Sequence, residues 1–154
     1  MKRMWSEEEI QAFKKDISTL VDSKGNPRFV EGEGTPAIIT GLNTTYCKWS
    51  LSGTHLMCVF AGSFENASVI PASAIIVTFT LPNFIKDKIQ AIWGGNRIEY
   101  KTLNLYADDW SAQNMQLQTI KTNQGVSLTT TGASLTLTAK RNFRLQIDML
   151  IDSE

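Results

Sequence analysis

The sequence predicts an antiparallel all-β domain, either a sandwich or a barrel, preceded by one short α-helix. Three observations predict this class: a complete helix-start signal within the first ten residues, apolar residues that recur with a period of two after residue 28, and turn residues that separate about nine or ten such segments. Short strands at regular spacing are typical of sandwiches and barrels. In these 154 residues we expect a helix and hinge over residues 1–27 and a β-domain over residues 28–154.

The N-terminal helix is predicted from about residue 7 to residue 21. Ser6 is a preferred N-cap, and Glu9 follows three residues later at the capping-box spacing. Trp5 before the cap and Ile10 in the helix are placed to form a hydrophobic staple. Because these signals agree with one another, we expect a well-defined start to the helix.

The apolar side chains of this helix form one stripe, which leaves two interpretations open. They recur at the a/d spacing of a coiled coil and are Ile10, Phe13, Ile17 and Leu20. The stripe covers about one and a half heptads, so it is too short to hold chains together by itself. Either the helix packs on its own β-domain, or it joins copies of the chain or docks on a larger body. The polar hinge with Gly25 and Pro27 favours the second interpretation, in which the stripe and Trp5 make the oligomerisation or docking contacts.

The positions of the strands are predicted from the alternation of apolar and polar residues. The clearest alternation runs over residues 143–151, where the odd-numbered residues are apolar. Residues 55–60 are apolar on both faces and predict a central strand, whereas residues 82–89 predict one or two helical turns across an end of the domain. The other strands are predicted at residues 37–40, 45–49, 75–81, 98–106, 114–122, 126–129 and 135–138.

Composition and charge exclude several classes of protein. Lysine plus arginine and aspartate plus glutamate number 15 each, so the sequence carries no basic footprint for nucleic acid. No apolar stretch approaches the roughly 20 residues that cross a membrane, and Lys2 and Arg3 lead into an acidic helix rather than a secretion signal. We therefore expect a protein made in a cytoplasm, without membrane insertion, whose Cys47 and Cys58 stay reduced.

No constellation of residues indicates an enzyme or a metal centre. His55 is the only histidine, and no nucleophile motif accompanies it. Glu31 and Glu33 flank Gly32 and are expected in a solvated acidic loop rather than as an acid–base pair. Two cysteines and one histidine fall short of a zinc site. We expect no catalytic activity, no metal and no cofactor.

Two loops that carry tryptophan are candidates for ligand binding. One holds Asp108, Asp109 and Trp110, and the other holds Trp93 and Asn96. Sugars bind where an aromatic face stacks on the ring and where Asp or Asn satisfies the hydroxyls, which is the chemistry that these residues offer. The alternative is that both indoles cover the ends of the core or lie between subunits. The two adjacent carboxylates supply too few oxygens for calcium.

Five short segments carry a resemblance to a known group of proteins. The opening MWSEEEI at residues 4–10 is followed by SGTHL at 52–56, AG at 61–62, LP at 81–82 and FRLQID at 143–148. With these segments the chain resembles small virion proteins, the fibre or receptor-binding head domains of phages and prophages of Gram-positive bacteria. The resemblance implies a jelly-roll-like antiparallel β-sandwich that forms a homotrimer.

The function implied by the resemblance is that of a phage virion structural protein, a fibre, appendage or receptor-binding component that acts by multivalent attachment. Its expected partners are further copies of the chain, other virion proteins and, as a candidate ligand, a bacterial cell-surface glycan. Its expected location is the virion, assembled in the cytoplasm of the bacterial host. A monomeric carbohydrate-binding module is the alternative, and it predicts a helix folded on its own domain. The receptor, the position on the particle and the strand order stay open.

Overall fold

A computed structural model describes residues 4–21, 24–91 and 96–152. The helices are α1 (Glu7–Leu20) and α2 (Asn83–Lys86). The strands are β1 (Phe29–Pro36), β2 (Leu42–Ser52), β3 (His55–Phe64), β4 (Val69–Ile70), β5 (Ile75–Thr80), β6 (Arg97–Tyr106), β7 (Ala112–Lys121), β8 (Gly125–Thr130), β9 (Leu135–Thr136) and β10 (Arg141–Leu150).

The eight long strands close into an antiparallel barrel in the order β1-β2-β3-β10-β6-β7-β8-β5. This order contains two Greek keys, in each of which three successive strands form a meander and the fourth returns beside the first. β1, β2, β3 and β5 make the first key, and β6, β7, β8 and β10 make the second. Eight strands in two Greek keys is the composition of jelly-roll-like folds. The predicted all-β class with a short N-terminal helix is therefore confirmed.

The barrel consists of two four-stranded sheets, β1-β2-β3-β10 and β6-β7-β8-β5, which are joined along two narrow seams. Inside the first sheet, the ladder between β3 and β10 runs along the whole of β10. At one seam, by contrast, β6 and β10 pair at Tyr106 and Asn142, and at the other β1 and β5 pair over Gly34 to Pro36. β4 and β9, which precede the fourth strand of each key, pair with each other. A groove lies along the seam between β6 and β10.

One hydrophobic core lies between the two sheets. β3 buries Leu56, Cys58 and Phe60 because it pairs with β2 on one side and with β10 on the other. The rings of Phe60 and Phe143 meet edge to face, with their centroids 4.9 Å apart. The alternation predicted for residues 143–151 and the central strand predicted at residues 55–60 are both confirmed.

The two cysteines are free thiols in or beside this core. Cys58 opposes Trp49 and Cys47 opposes Phe60, so the two cysteines are diagonal neighbours on β3 and β2. Diagonal neighbours on paired strands lie roughly 7–8 Å apart, which is too far for a disulfide without movement of the backbone. Burial raises the pKa of the Cys58 thiol to about 12 and also raises the pKa of Cys47.

The two ends of the barrel carry different elements. One end, called the helix end, holds the β2–β3 turn at Gly53, α2 and the start of β6. The opposite end, called the loop end, holds the connections at residues 37–41, 65–74, 107–111 and 131–140. β6 and β10 are 10 residues long, and a strand rises about 3.3 Å per residue, so the ends lie roughly 30 Å apart.

α1 begins at the predicted capping box and joins the barrel at the helix end. The Ser6 hydroxyl oxygen accepts the Glu9 N–H at 3.1 Å, which confirms the predicted cap. Beyond the last turn, the Arg28 N–H donates to the Leu20 carbonyl and the Gly53 N–H donates to the Arg28 carbonyl, both at 2.7 Å. These two bonds tie the end of the helix to the β2–β3 turn.

The apolar stripe of α1 faces solvent in the described residues. Ile10, Phe13 and Leu20 are 40%, 55% and 67% exposed, and none of the three belongs to the core. The Trp5 ring packs against the Phe13 ring, with centroids 6.0 Å apart. The side chain of Ile17 lies outside the described residues.

The first strand of the barrel corrects two predictions. Residues 37–40 form a connection rather than the predicted strand, because β1 ends at Pro36. Glu31 and Glu33 lie on β1 and are exposed, so the prediction of an acidic loop is also wrong. Both carboxylates still face solvent, and the strand places them on the outside of the barrel.

Two glycines explain why β1 was not predicted from the sequence. Gly32 lies at an inward position of β1, where a Cβ would stand 2.6 Å from the Trp49 ring. Gly34 is as crowded, because a Cβ there would stand 2.7 Å from the Phe79 ring. Large side chains of β2 and β5 fill the space under β1, so β1 itself contributes no bulky apolar residue at these positions. The alternation that marks a half-buried strand is therefore missing from its sequence.

Candidate ligand-binding groove

The candidate site begins with the β6–β7 loop, residues 107–111, at the loop end. The Trp110 N–H donates to the Ala107 carbonyl and the Ala107 N–H donates to the Ser111 carbonyl, both at 2.9 Å. Asp109 Oδ1 accepts the Ser111 hydroxyl at 2.6 Å and the Ser111 N–H at 3.0 Å. These two bonds lower the pKa of Asp109, because they favour the ionised carboxylate. The loop is therefore closed by its own hydrogen bonds.

Arg141, at the start of β10, fixes this loop to the rest of the barrel. Its side chain is 5% exposed. Nη1 donates to the Ser111 carbonyl at 2.6 Å and Nη2 donates to the Thr138 hydroxyl at 3.2 Å, whereas Nε has no partner in the described part of the chain. Burying a guanidinium is costly unless its N–H groups are bonded, so these contacts hold the cation and the loop together.

Trp110 is the residue that this loop presents. Its side chain is 81% exposed, so it contributes little to the core. Its φ is 66°, a left-handed conformation that is unusual for a bulky residue and costs roughly 1–3 kcal/mol. The Tyr106 ring lies beside it, with centroids 6.3 Å apart and planes at 64°. A strained backbone that exposes an indole is typical of a functional site.

A groove of about 510 Å³ runs from Trp110 along the seam between β6 and β10. Such a volume lies within the roughly 300–1,000 Å³ of small-molecule sites. Six side chains of its lining supply two aromatic rings, two amides, a carboxylate and a guanidinium; they are Tyr106, Trp110, Asn104, Asn142, Asp108 and Arg144. All six are exposed, so the groove is open to solvent.

The structure places part of the predicted ligand set in this groove. Asp108 and Trp110 line it, whereas Asp109 is engaged inside the loop by Ser111. Asn96 lies at the helix end, where its carbonyl accepts the Lys121 N–H at 2.8 Å, roughly 30 Å along β6 from Trp110. The structure thus does not bring Asn96 to the groove, and Trp93 lies outside the described residues.

Four of the six groove residues named above were not predicted as site residues: Asn104, Tyr106, Asn142 and Arg144. The alternation of β6 and β10 puts all four on the outer faces of their strands, and that signal was present in the sequence. What the alternation does not show is that β6 and β10 are neighbours. The pairing of Tyr106 with Asn142 supplies that fact.

Among the described residues, the other chemistry-bearing side chains form no metal site and no cluster beyond one exposed pair. His55 Nε2 lies 2.9 Å from Asp148 Oδ1 in an exposed pair at the helix end. No group of three or more His, Cys, Asp or Glu residues in the described ranges is placed to hold a metal ion. In the same ranges, no helix is long and apolar enough to span a membrane.

Comparisons with known proteins give neither a family nor a role for this chain. No family model matches the chain, and no curated protein matches it. Among solved structures, the chain is similar to the fibre head protein of bovine atadenovirus type 4, with a TM-score of 0.39 and 10% sequence identity over 77% of this chain and 97% of the fibre head. Superposition at this level transfers no role to any residue.

Proposed function

We propose that the chain is a virion structural protein, a fibre, appendage or receptor-binding component that acts by multivalent attachment. One observation carries the proposal: two surfaces suited to contact lie at opposite ends of the barrel. α1, which carries the exposed stripe, joins the barrel at the helix end, and the groove with Trp110 opens at the loop end. A protein that must be held by one end and must recognise a surface with the other needs this arrangement.

The helix supports the assembly half of the proposal. Ile10, Phe13 and Leu20 expose apolar surface that a partner would remove from water, and the Trp5 ring extends the same patch through Phe13. The stripe is too short for a free coiled coil, so we propose that it associates as part of a homotrimer or against another virion protein. The particle is, on the sequence resemblance, that of a phage or prophage of a Gram-positive bacterium, assembled in the host cytoplasm.

Multivalency explains how an open groove could hold a particle. Linking binding modules sets the effective concentration for the second contact in the millimolar range and raises avidity by about 10²–10⁴-fold. Three weak sites on one trimer are therefore enough for firm attachment. We expect no catalytic activity, because Asp108 and Arg144 in the groove accompany no nucleophile with an adjacent base.

A monomeric carbohydrate-binding module is the second candidate function, and the groove is the observation that favours it. That candidate requires α1 to fold on its own domain. The exposure of Ile10, Phe13 and Leu20 in the described residues favours the virion component instead.

The solution mass of the full chain, measured by light scattering beside a chain that starts at Asn26, tests the proposal. A trimer that dissociates on truncation supports α1 as the assembly element. A trimer that survives truncation places the interface on the β-domain and leaves α1 for docking on the particle. A full-length monomer contradicts the proposal and favours the carbohydrate-binding module.

A further inference from the structure

We infer that the groove binds an uncharged pyranose sugar, which stacks on Trp110 beside Tyr106 and is held by the free side chains around them. The inference rests on the proposed function, because it names the ligand class of the end that would recognise a surface. Four features of the groove carry it: its unused polar groups, its aromatic pair, its charge and its rigidity.

The polar groups of the groove are unused by the protein itself. In the described part of the chain, the side-chain amides of Asn104 and Asn142 and the carboxylate of Asp108 have no hydrogen-bond partner. The next carboxylate along the chain shows the contrast, since Asp109 accepts two hydrogen bonds from Ser111. A polar group that stabilises no part of the fold is free to bind a ligand.

A pyranose matches these groups better than a peptide or a protein surface does. One face of the ring is a patch of C–H groups that packs on an indole or phenol, and its rim carries hydroxyls that both donate and accept. Amides offer both kinds of partner, and Asp108 accepts. A protein partner would need roughly 800 Å² of surface on each side, whereas the groove has the size of a small-molecule site.

The net charge of the groove favours an uncharged sugar. The groove carries one carboxylate, Asp108, and one guanidinium, Arg144, so its formal charge is zero. Arg144 is also in weak contact with the Gln146 amide oxygen, with Nη2 3.4 Å away. A carboxylated sugar would gain attraction from one side chain and repulsion from the other, and it would in addition lose hydration.

Rigidity lowers the cost of binding. The loop bonds between Ala107, Trp110 and Ser111 and the buried Arg141 already hold the backbone that carries the indole in place. A ligand that meets this loop does not have to order its backbone, so a small contact area is enough for detectable binding. For one site we expect a Kd in the millimolar range, about −4 kcal/mol.

Saturation-transfer NMR on the full chain tests the inference. The probes are the methyl glycosides of glucose, galactose, mannose, rhamnose, N-acetylglucosamine and N-acetylgalactosamine, with methyl glucuronide as the carboxylated counterpart of the glucoside. We expect at least one neutral probe to bind and to shift the indole N–H resonance of Trp110, which is assigned by its loss in Trp110→Phe. Binding of no neutral probe, or of the glucuronide alone, overturns the inference.

Variants locate the binding. Trp110→Ala, Tyr106→Ala and Asn142→Ala should each weaken the bound neutral probe at least tenfold. Tyr100→Ala is the matched control, because Tyr100 is exposed on the same face of β6 and lies roughly 20 Å from Tyr106. It should bind as the parent does. Equal binding by Trp110→Ala and the parent, with unchanged thermal unfolding, places the sugar elsewhere and overturns the inference.

The solution mass of the same samples separates this inference from the proposed function. A trimer that binds no neutral glycoside contradicts the inferred sugar ligand but is consistent with the proposed virion function. A monomer that binds a glycoside through Trp110 supports the sugar site but contradicts multivalent attachment.

Discussion

At the scale of single residues, the backbone conformation of Trp110 costs stability and leaves its indole exposed to solvent. Its left-handed backbone is strained, and its indole is 81% exposed, so the side chain contributes little to the stability of the core. Loop hydrogen bonds and a buried arginine maintain this backbone conformation. Trp110 could be predicted as a candidate because tryptophan beside aspartate is a local signal in the sequence. Arg141 could not, because its role depends on the Ser111 carbonyl, 30 residues away.

The strain at Trp110 can be measured by comparing glycine with alanine. We expect Trp110→Gly to have a free energy of unfolding about 1 kcal/mol higher than Trp110→Ala, because glycine adopts a positive φ without a Cβ clash. Asp108 is the control, since its φ is not positive and glycine there should be the less stable of the pair. Urea unfolding of the four variants measures both differences. Equal stabilities at position 110 would mean that the backbone there is unstrained.

Arg141 and Arg144 lie three residues apart on β10, and the same substitution should affect stability at position 141 but not at position 144. We expect Arg141→Met to lower the free energy of unfolding by about 2–3 kcal/mol, because the Ser111 carbonyl and the Thr138 hydroxyl lose a charged partner. Arg144→Met, at an exposed position, should change it by less than about 0.5 kcal/mol. Chemical denaturation measures both variants. A small effect at position 141 would show that the loop does not depend on the guanidinium.

Cys58 should make the fold sensitive to alkali. Its pKa is raised by burial to about 12, so the folded state keeps the thiol neutral while the unfolded chain ionises near pH ~8.5. The stability contributed by the neutral thiol is fully present below that pH and is lost as the pH rises toward about 12. We expect the free energy of unfolding of Cys58→Ala to fall less steeply over this window than that of the parent. If the free energy of unfolding fell equally steeply with pH in both proteins, the pKa of Cys58 would not be raised in the folded state.

At the scale of elements, local signals predict local structure and fail where packing decides. The capping box of Ser6 and Glu9 fixes the start of α1 because both partners lie within one turn. β1 was missed because two of its inward positions are glycines that leave room for Trp49 and Phe79, which belong to other strands. Alternation of apolar residues within one segment does not show which side chains of other strands require glycine there.

The helix stripe gives the sharpest prediction at this scale. We expect Phe13→Ser to leave the thermal unfolding of the β-domain unchanged, within about 0.5 kcal/mol, because Phe13 is half exposed and lies outside the core. We expect the same variant to lower the solution mass of the full chain, because it removes the centre of the patch that Trp5 and Phe13 form. Calorimetry and light scattering give the two readouts.

Lys14→Ser is the matched control for that experiment. Lys14 is the next residue on the helix, is exposed and lies outside the stripe, so its substitution should change neither stability nor mass. A marked loss of stability in Phe13→Ser would show that α1 packs on its own domain, which is the arrangement that the monomeric module requires.

At the scale of the whole molecule, the topology brings together what the sequence separates. Asn104 and Tyr106 on β6 meet Asn142 and Arg144 on β10 because the second Greek key returns its fourth strand beside its first. The same topology sends Asn96 to the opposite end of β6. The predicted ligand set mixed two ends of one barrel, since the sequence shows that a loop is polar and aromatic but not which end it occupies.

The opposite placement of stripe and groove predicts a dependence of binding on surface density. On a surface densely coated with the glycoside that gives the largest NMR response, we expect the full chain to dissociate about 100-fold more slowly than the chain that starts at Asn26, because the proposed trimer rebinds through its other sites. On a sparse surface, where one trimer meets one glycoside, the two chains should dissociate at the same rate. Surface plasmon resonance at two coating densities measures both. Equal rates at high density would contradict multivalent attachment even if each groove binds a sugar, because the copies would then be unable to engage the surface together.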